Sequence, residues 1–131
     1  LTRELGLNGI VRFHGLKPKE EVAKFMRNCD FFVQPSLWET FGVVYIEAMA
    51  CGKPVIASKV TGPLEIVNEN VGILVPPKDV KALREAIEYM LDNYQNYSPE
   101  KIAQYARERF GYEAVAKMLD RVYRQVTERD I

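Results

Sequence analysis

The chain has 131 residues, 47% hydrophobic and 27% charged, values that fit one globular domain with a proper core. Its 18 basic residues balance 18 acidic ones, so no bulk field recruits nucleic acid or an anionic membrane. No run is long enough to span a bilayer, no signal-peptide pattern is present, and Cys29 and Cys51 lack metal-ligand spacing, favouring two buried thiols in a cytosolic protein over a disulfide.

In chain order, Leu1 to Leu7 reads as the tail of a helix stopped at Gly6. The chain opens on Leu1-Thr2-Arg3, as a piece of something longer would. Ile10 to His14 alternates like a short strand and leaves at Gly15. Pro18 suits the first position of a helix whose inward residues are Val22, Phe25, Met26 and Cys29. Phe31-Phe32-Val33 is a continuous apolar run, expected of a strand covered on both faces.

From Val43 a helical pattern runs to a stop at Gly52, and Pro54 to Ser58 is a further buried strand. Thr61-Gly62-Pro63 makes a turn into a brief helix over Leu64 to Asn68, and Gly72 to Pro76 is the next strand. Asp79 is a good N-cap for a helix with an inward stripe of Val80, Leu83, Ile87, Met90 and Leu91. Asn93 to Tyr97 reads as a surface loop. Ser98-Pro99 opens a helix facing inward at Ile102 and Ala106, and a last helix from about Glu113 to Glu128 carries Val115, Met118, Leu119, Val122 and Val126.

Short buried strands alternating with helices predict an α/β fold: a parallel sheet of about four strands flanked by helices, with a C-terminal helical cap. The whole of residues 1–131 forms one domain.

The stretch from Ser36 to Lys53 organises the rest. A strand arrives at Gln34-Pro35-Ser36, a loop carries Glu39, Phe41 and Gly42, and a helix begins at Val43. That is the layout of an anion or nucleotide site. Gly42 lets the backbone approach a ligand closely, and amides from Phe41 to Val44 fall in the unsatisfied first turn of a helix. Ionised carboxylates at Glu39 and Glu47 accept hydrogen bonds, so they suit hydroxyl groups rather than phosphate. A ligand with a diphosphate centre and hydroxyls at either end meets both demands, and a nucleotide sugar is such a ligand.

Glu39 and Glu47, with seven residues between them, enclose Phe41-Gly42 and are followed by Ala48-Met49-Ala50, Gly52 and Pro54-Val55. This pattern closely resembles the signature of family 4 (group 1) retaining glycosyltransferases, whose GT-B fold sets two Rossmann-like domains across a cleft. The resemblance extends to Val11, Phe13 and Gly15, to Asp30–Ser36, to Gly62 with Glu65-Ile66-Val67, and to Gly72–Val75. Fixed positions over about sixteen residues are far more specific than a lone glycine motif.

The resemblance implies a partial Rossmann-like sheet and the donor-binding part of an enzyme transferring sugar from a nucleoside-diphosphate sugar, without a metal ion or other cofactor. It assigns Glu39 to the reacting centre beside the transferred sugar, and Glu47 to the ribose hydroxyls. Backbone amides of Phe41, Gly42 and Val43 would meet sugar and diphosphate. Ser36 would lie near the phosphates, and Leu16 and Lys17, within Gly15–Pro18, near the nucleobase. Thr40 stands where the family often has a smaller residue. Gly62-Pro63 stands where it often has two glycines, which removes an amide.

Two earlier strands of the family's domain, a Gly-rich turn, an Arg and Lys pair that neutralises the leaving diphosphate, and the acceptor-binding N-terminal domain have no counterpart here. Stabilising charge on the leaving group is where such catalysis mainly lives, so this polypeptide alone is expected to be inactive. In the family's strand order, 3-2-1-4-5-6, the absent strands fall between Ile10–His14 and Phe31–Pro35. The exposed edges predict strand rearrangement or an edge-paired or swapped homodimer. The intact protein is expected in the cytoplasm, at most peripheral to a membrane, its acceptor a glycan, lipid or small molecule.

A non-catalytic nucleotide-sugar-binding or assembly module is the competing reading, favoured by the missing basic pair. A receiver-like signalling domain ranks below both, because Asp30 stands at the wrong end of its strand. His14, Trp38, Lys53 and Lys59 read more simply as structural or surface residues.

Overall fold

The computed structural model describes residues 1–128. Three short strands, β1 (Phe32–Gln34), β2 (Val55–Ser58) and β3 (Gly72–Val75), form one parallel sheet in the order β1-β2-β3. Phe32 pairs with Val55, and Val55 with Gly72, so the strands start level. The helices are α1 (Lys19–Asn28), α2 (Val43–Ala50), α3 (Pro63–Ile66), α4 (Val80–Asn93), α5 (Pro99–Phe110) and α6 (Tyr112–Thr127).

Residues of a strand alternate between faces, and the two faces of this sheet build two cores. Val55, Ala57, Phe32 and Leu74 join Tyr45, Ala48 and Met49 of α2, Met26 of α1, and Ile102 and Ala106 of α5. Ile56, Val75, Phe31, Val33 and Ile73 meet Ala86 and Met90 of α4 on the other side. All four residues of β2 are buried, as an apolar central strand covered on both faces must be. Helix α2 is the hub, packed on α1, β2, α3 and α5.

Local signals set several boundaries. Asp79 caps α4 by accepting from the Ala82 amide at 2.9 Å, and Ser98 caps α5 through the Lys101 amide at 3.3 Å, with Pro99 in its first turn. Ile102 and Ala106 are buried as their spacing predicts.

The expected fourth strand is not there. Ile10 to His14 forms no strand: the Ile10 and Val11 amides turn back to the Leu7 carbonyl, the segment's pairing is one bridge between Asn8 and Val11, and Ile10 and Phe13 are 76% and 83% exposed. A strand needs a hydrogen-bonded neighbour, and among the described residues none stands beside this segment. Leu1 to Leu7 forms turns rather than a helical tail, although the Leu5 amide does reach the Leu1 carbonyl at 2.9 Å. Helix α3 begins one residue early, at Pro63, and ends at Ile66. Tyr94–Asn96 is a 3₁₀ turn rather than an irregular loop.

Two inward stripes are corrected as well. In α4 the buried residues are Ala86 and Met90, with Leu83 and Ile87 half-buried, while Val80 and Leu91 face solvent. Helix α6 buries nothing: Val115, Met118, Leu119, Val122 and Val126 are all exposed. The helical cap is therefore α5 alone, and α6 runs on from it with an apolar face uncovered among the described residues. Cys29 and Cys51 are free thiols, each half-buried.

Candidate functional site

The site lies beyond the carboxyl end of β1, where ligands of open parallel sheets bind. The chain leaves β1 at Gln34, crosses Pro35 to Phe41 as a loop, and enters α2 through Gly42. Gly42 adopts φ 94° and ψ 47°, the left-handed region that a side chain disfavours. A Cβ there would fall 2.6 Å from Cδ2 of Tyr45 and 3.5 Å from Cγ of Glu39. The turn thus needs glycine for both its dihedrals and its space.

Among the described residues no side chain caps α2. The amides of Val43 and Val44 in its first turn have no intrahelical partner, and the helix dipole adds partial positive charge there. Val43 and Glu47 lie one turn apart on the same exposed face, so the Glu47 carboxylate stands in line with those amides. Glu39 is half-buried beside Gly42. Among the described residues neither carboxylate is held in an ion pair. Both remain available as hydrogen-bond acceptors.

Tyr45 anchors this turn from below. It is fully buried, and its hydroxyl donates to the Gln34 carbonyl at 2.7 Å, tying α2 to the end of β1. Ser36 sits in the same cluster, accepting from Gln34 Nε2 at 3.2 Å. Burial raises the Tyr45 phenol above its usual value, the Ser36 hydrogen bond opposes the rise, and the Glu39 charge adds to it. Sequence reasoning assigned Tyr45 no role. In a helix whose other residues are all apolar or aromatic apart from Glu47, spacing does not distinguish an anchoring residue from core.

Phe41 is half-exposed and meets Phe110 edge-on at 6.0 Å between centroids. Its carbonyl lies against Gly62, where a Cβ would stand 2.5 Å from the Phe41 oxygen. The loops after β1 and β2 therefore touch. Beside Phe41 and Val43 a groove of about 740 Å³ runs to Phe110, Val115 and Met118.

The structure brings Ser36, Glu39, Phe41, Gly42, Val43 and Glu47 onto one loop-helix junction. Leu16 and Lys17 are placed apart from it. They line a cavity of about 450 Å³ with His14, Phe25, Met26 and Phe32, at the open edge of β1. Leu16 is fully exposed, and Lys17 pairs with Glu21 at 3.5 Å. His14 packs on Phe25 at 4.4 Å between rings, a structural contact. Trp38 is 75% exposed and is a surface residue. Among the described residues no three His, Cys, Asp or Glu side chains gather as metal ligands.

Comparison with known proteins gives this geometry a context. The family model of the group 1 glycosyl transferases matches residues 1–109. The D-inositol 3-phosphate glycosyltransferase of Corynebacterium diphtheriae is 34% identical over 133 residues, covering all of this chain and 31% of its own length. The sucrose-phosphate synthase of Thermosynechococcus elongatus superposes with a TM-score of 0.83 at 36% identity, over 98% of this chain and 33% of that one. HepE of Anabaena, solved in complex with UDP, gives a TM-score of 0.82 at 30% identity, over 95% of this chain and 35% of its own. The same protein is also known in complex with UDP-glucose. The chain spans about a third of the length of these relatives.

Proposed function

Because the chain belongs to the group 1 glycosyl transferases, we propose that it is the donor-binding part of a retaining enzyme that moves sugar from a nucleoside-diphosphate sugar to an acceptor. The observation that carries this reading is the uncapped first turn of α2, entered through left-handed Gly42 and flanked by Glu39 and Glu47. Oriented amides favour a diphosphate. Acceptor-only carboxylates on either side favour hydroxyls.

In this reading the amides of Phe41, Gly42 and Val43 receive diphosphate and sugar, with Ser36 near the phosphates. Glu47 accepts from the ribose hydroxyls. Glu39, set deeper, accepts from the transferred sugar beside the reacting carbon and is the catalytic residue of this chain. Leu16 and Lys17, which line the separate cavity at the edge of β1, meet the base. HepE, whose complexes hold UDP and UDP-glucose, supports a uridine donor. No metal or cofactor takes part in this account.

Departure of a diphosphate requires more positive charge than one helix terminus supplies. We assign that charge, and acceptor binding, to the other two thirds of the length seen in the relatives. The 131 residues alone bind donor without turnover, in a cytoplasmic protein. Mapping amide chemical shifts during a UDP titration tests this. Shifts centred on Phe41 to Val44 and Glu47 are expected. Shifts absent from that turn at saturating UDP would refute the site.

Self-association of this chain belongs to the same proposal. Among the described residues the outer edge of β1 is unpaired, and apolar Ile10 and Phe13 lie exposed. Such edges recruit another chain. Sedimentation of the 131-residue protein should reveal a dimer that Phe13→Asp weakens; a monomer at every concentration would contradict it.

A further inference from the structure

Tyr45 has no role in donor contact, yet its side chain is fully buried and held at both ends. Its ring lies directly beneath Gly42, close enough that a single added carbon there would overlap it at 2.6 Å. The ring also meets Phe32 edge-on at 5.9 Å, so it is wedged between the strand and the turn. At its far end the hydroxyl donates to the last carbonyl of β1, Gln34, at 2.7 Å. At its near end the Tyr45 amide donates to the Gly42 carbonyl at 3.1 Å. The side chain thus ties the end of the strand to the left-handed turn, and the backbone of the same residue closes the first turn of the helix.

We infer that Tyr45 is the positioning residue of this turn, acting through Gly42 and Glu39 rather than by touching the donor. This rests on the donor-site reading above. The amides of Val43 and Val44 point usefully only if Gly42 keeps its left-handed conformation, and the ring beneath it limits how far the turn can sink toward the sheet. The Glu39 stem approaches the same point at Gly42, 3.5 Å from where a Cβ would stand, so a shift of the turn displaces the carboxylate as well. The hydroxyl pins the ring along its long axis. Without it the ring retains its volume but loses its anchor to β1.

Three proteins separate positioning from stability, with UDP as the probe. Tyr45→Phe keeps the ring and removes only the hydroxyl. Ile56→Val trims one buried methylene on the opposite face of the sheet, where Ile56 packs with α4, and serves as the control for a general loss of stability. Affinity is measured by calorimetry at a temperature where circular dichroism shows all three folded. Tyr45→Phe should weaken UDP binding about five- to tenfold, the scale of one hydrogen bond, while Ile56→Val binds like the wild type. Hydrogen exchange at the amides of residues 45 and 46 should quicken by a similar factor in Tyr45→Phe, with α4 unchanged. Wild-type affinity in Tyr45→Phe overturns the inference. If the wild-type protein does not bind millimolar UDP, the donor reading itself has failed, and the amides alone decide. Selective acceleration at residues 45 and 46 then upholds Tyr45 as the anchor of the turn, and unchanged exchange overturns it.

Discussion

Gly62 packs its backbone against the carbonyl of Phe41, so closely that a Cβ at Gly62 would lie 2.5 Å from that oxygen. Gly62 also sits at φ 90°, a conformation a side chain disfavours. The loop after β2 is thereby locked to the turn that opens α2, and Pro63 starts α3 without needing a donor of its own. Pro63 thus fits the first position of a helix. Gly62→Ala should cost about 2–4 kcal/mol, from backbone strain plus overpacking, read as a fall in the urea midpoint at unchanged slope. A midpoint equal to the wild type would show that the two loops are not locked.

Helix α4 offers a local test that does not involve the site. Asp79 accepts from the Ala82 amide at 2.9 Å. Asp79→Ala should lower stability by about 1 kcal/mol, while Asp79→Asn, which retains an acceptor oxygen, should lose little. Equal losses in the two variants would point away from capping.

Alkaline pH should loosen the fold. Burial raises the Cys29 thiol above 9.0 and the Tyr45 and Tyr97 phenols above 10.0. The folded state therefore holds the neutral forms, and the unfolded chain gives up these protons first. Their contribution is full below the unfolded values and falls as pH rises through them, beginning near 9. Urea midpoints measured across that range should decline, and less steeply in Cys29→Ala. An identical slope in the variant would remove Cys29 from the account.

How much of this was legible in the sequence depends on how local the cause is. Asp79 and Ser98-Pro99 announce their helices because a cap acts within three residues. Ile102 and Ala106 face inward as their spacing implies, since α2 lies there to receive them. Ile10 to His14 has the composition of a strand, but a strand is made by its neighbour, and no residue of the segment encodes whether one stands beside it. The stripe of α6 is equally real as a pattern. Periodicity identifies an apolar face; it carries no information about what covers it. In the candidate site, the turn at Gly42 into a helix at Val43 was readable from residue type and spacing. The separation of Leu16 and Lys17 from that turn, and the anchoring by Tyr45, are tertiary facts.

The uncovered face of α6 leads to a prediction about the helix itself. Because α6 buries none of its side chains, a chain ending at Phe110 should keep its fold, with near-unchanged midpoint. It should also bind less of a hydrophobic dye than the full chain, because five exposed apolar residues of α6 leave with it. Loss of cooperative unfolding on removal of α6 would contradict this.

The most direct measurement is calorimetric titration of UDP into the 131-residue protein and into Glu47→Ala. A carboxylate that accepts from ribose hydroxyls should be worth about ten- to a hundredfold in affinity, so the wild type binds and the variant binds that much more weakly. Binding by neither protein at millimolar UDP, or equal binding by both, would contradict a donor site built on Gly42 and Glu47.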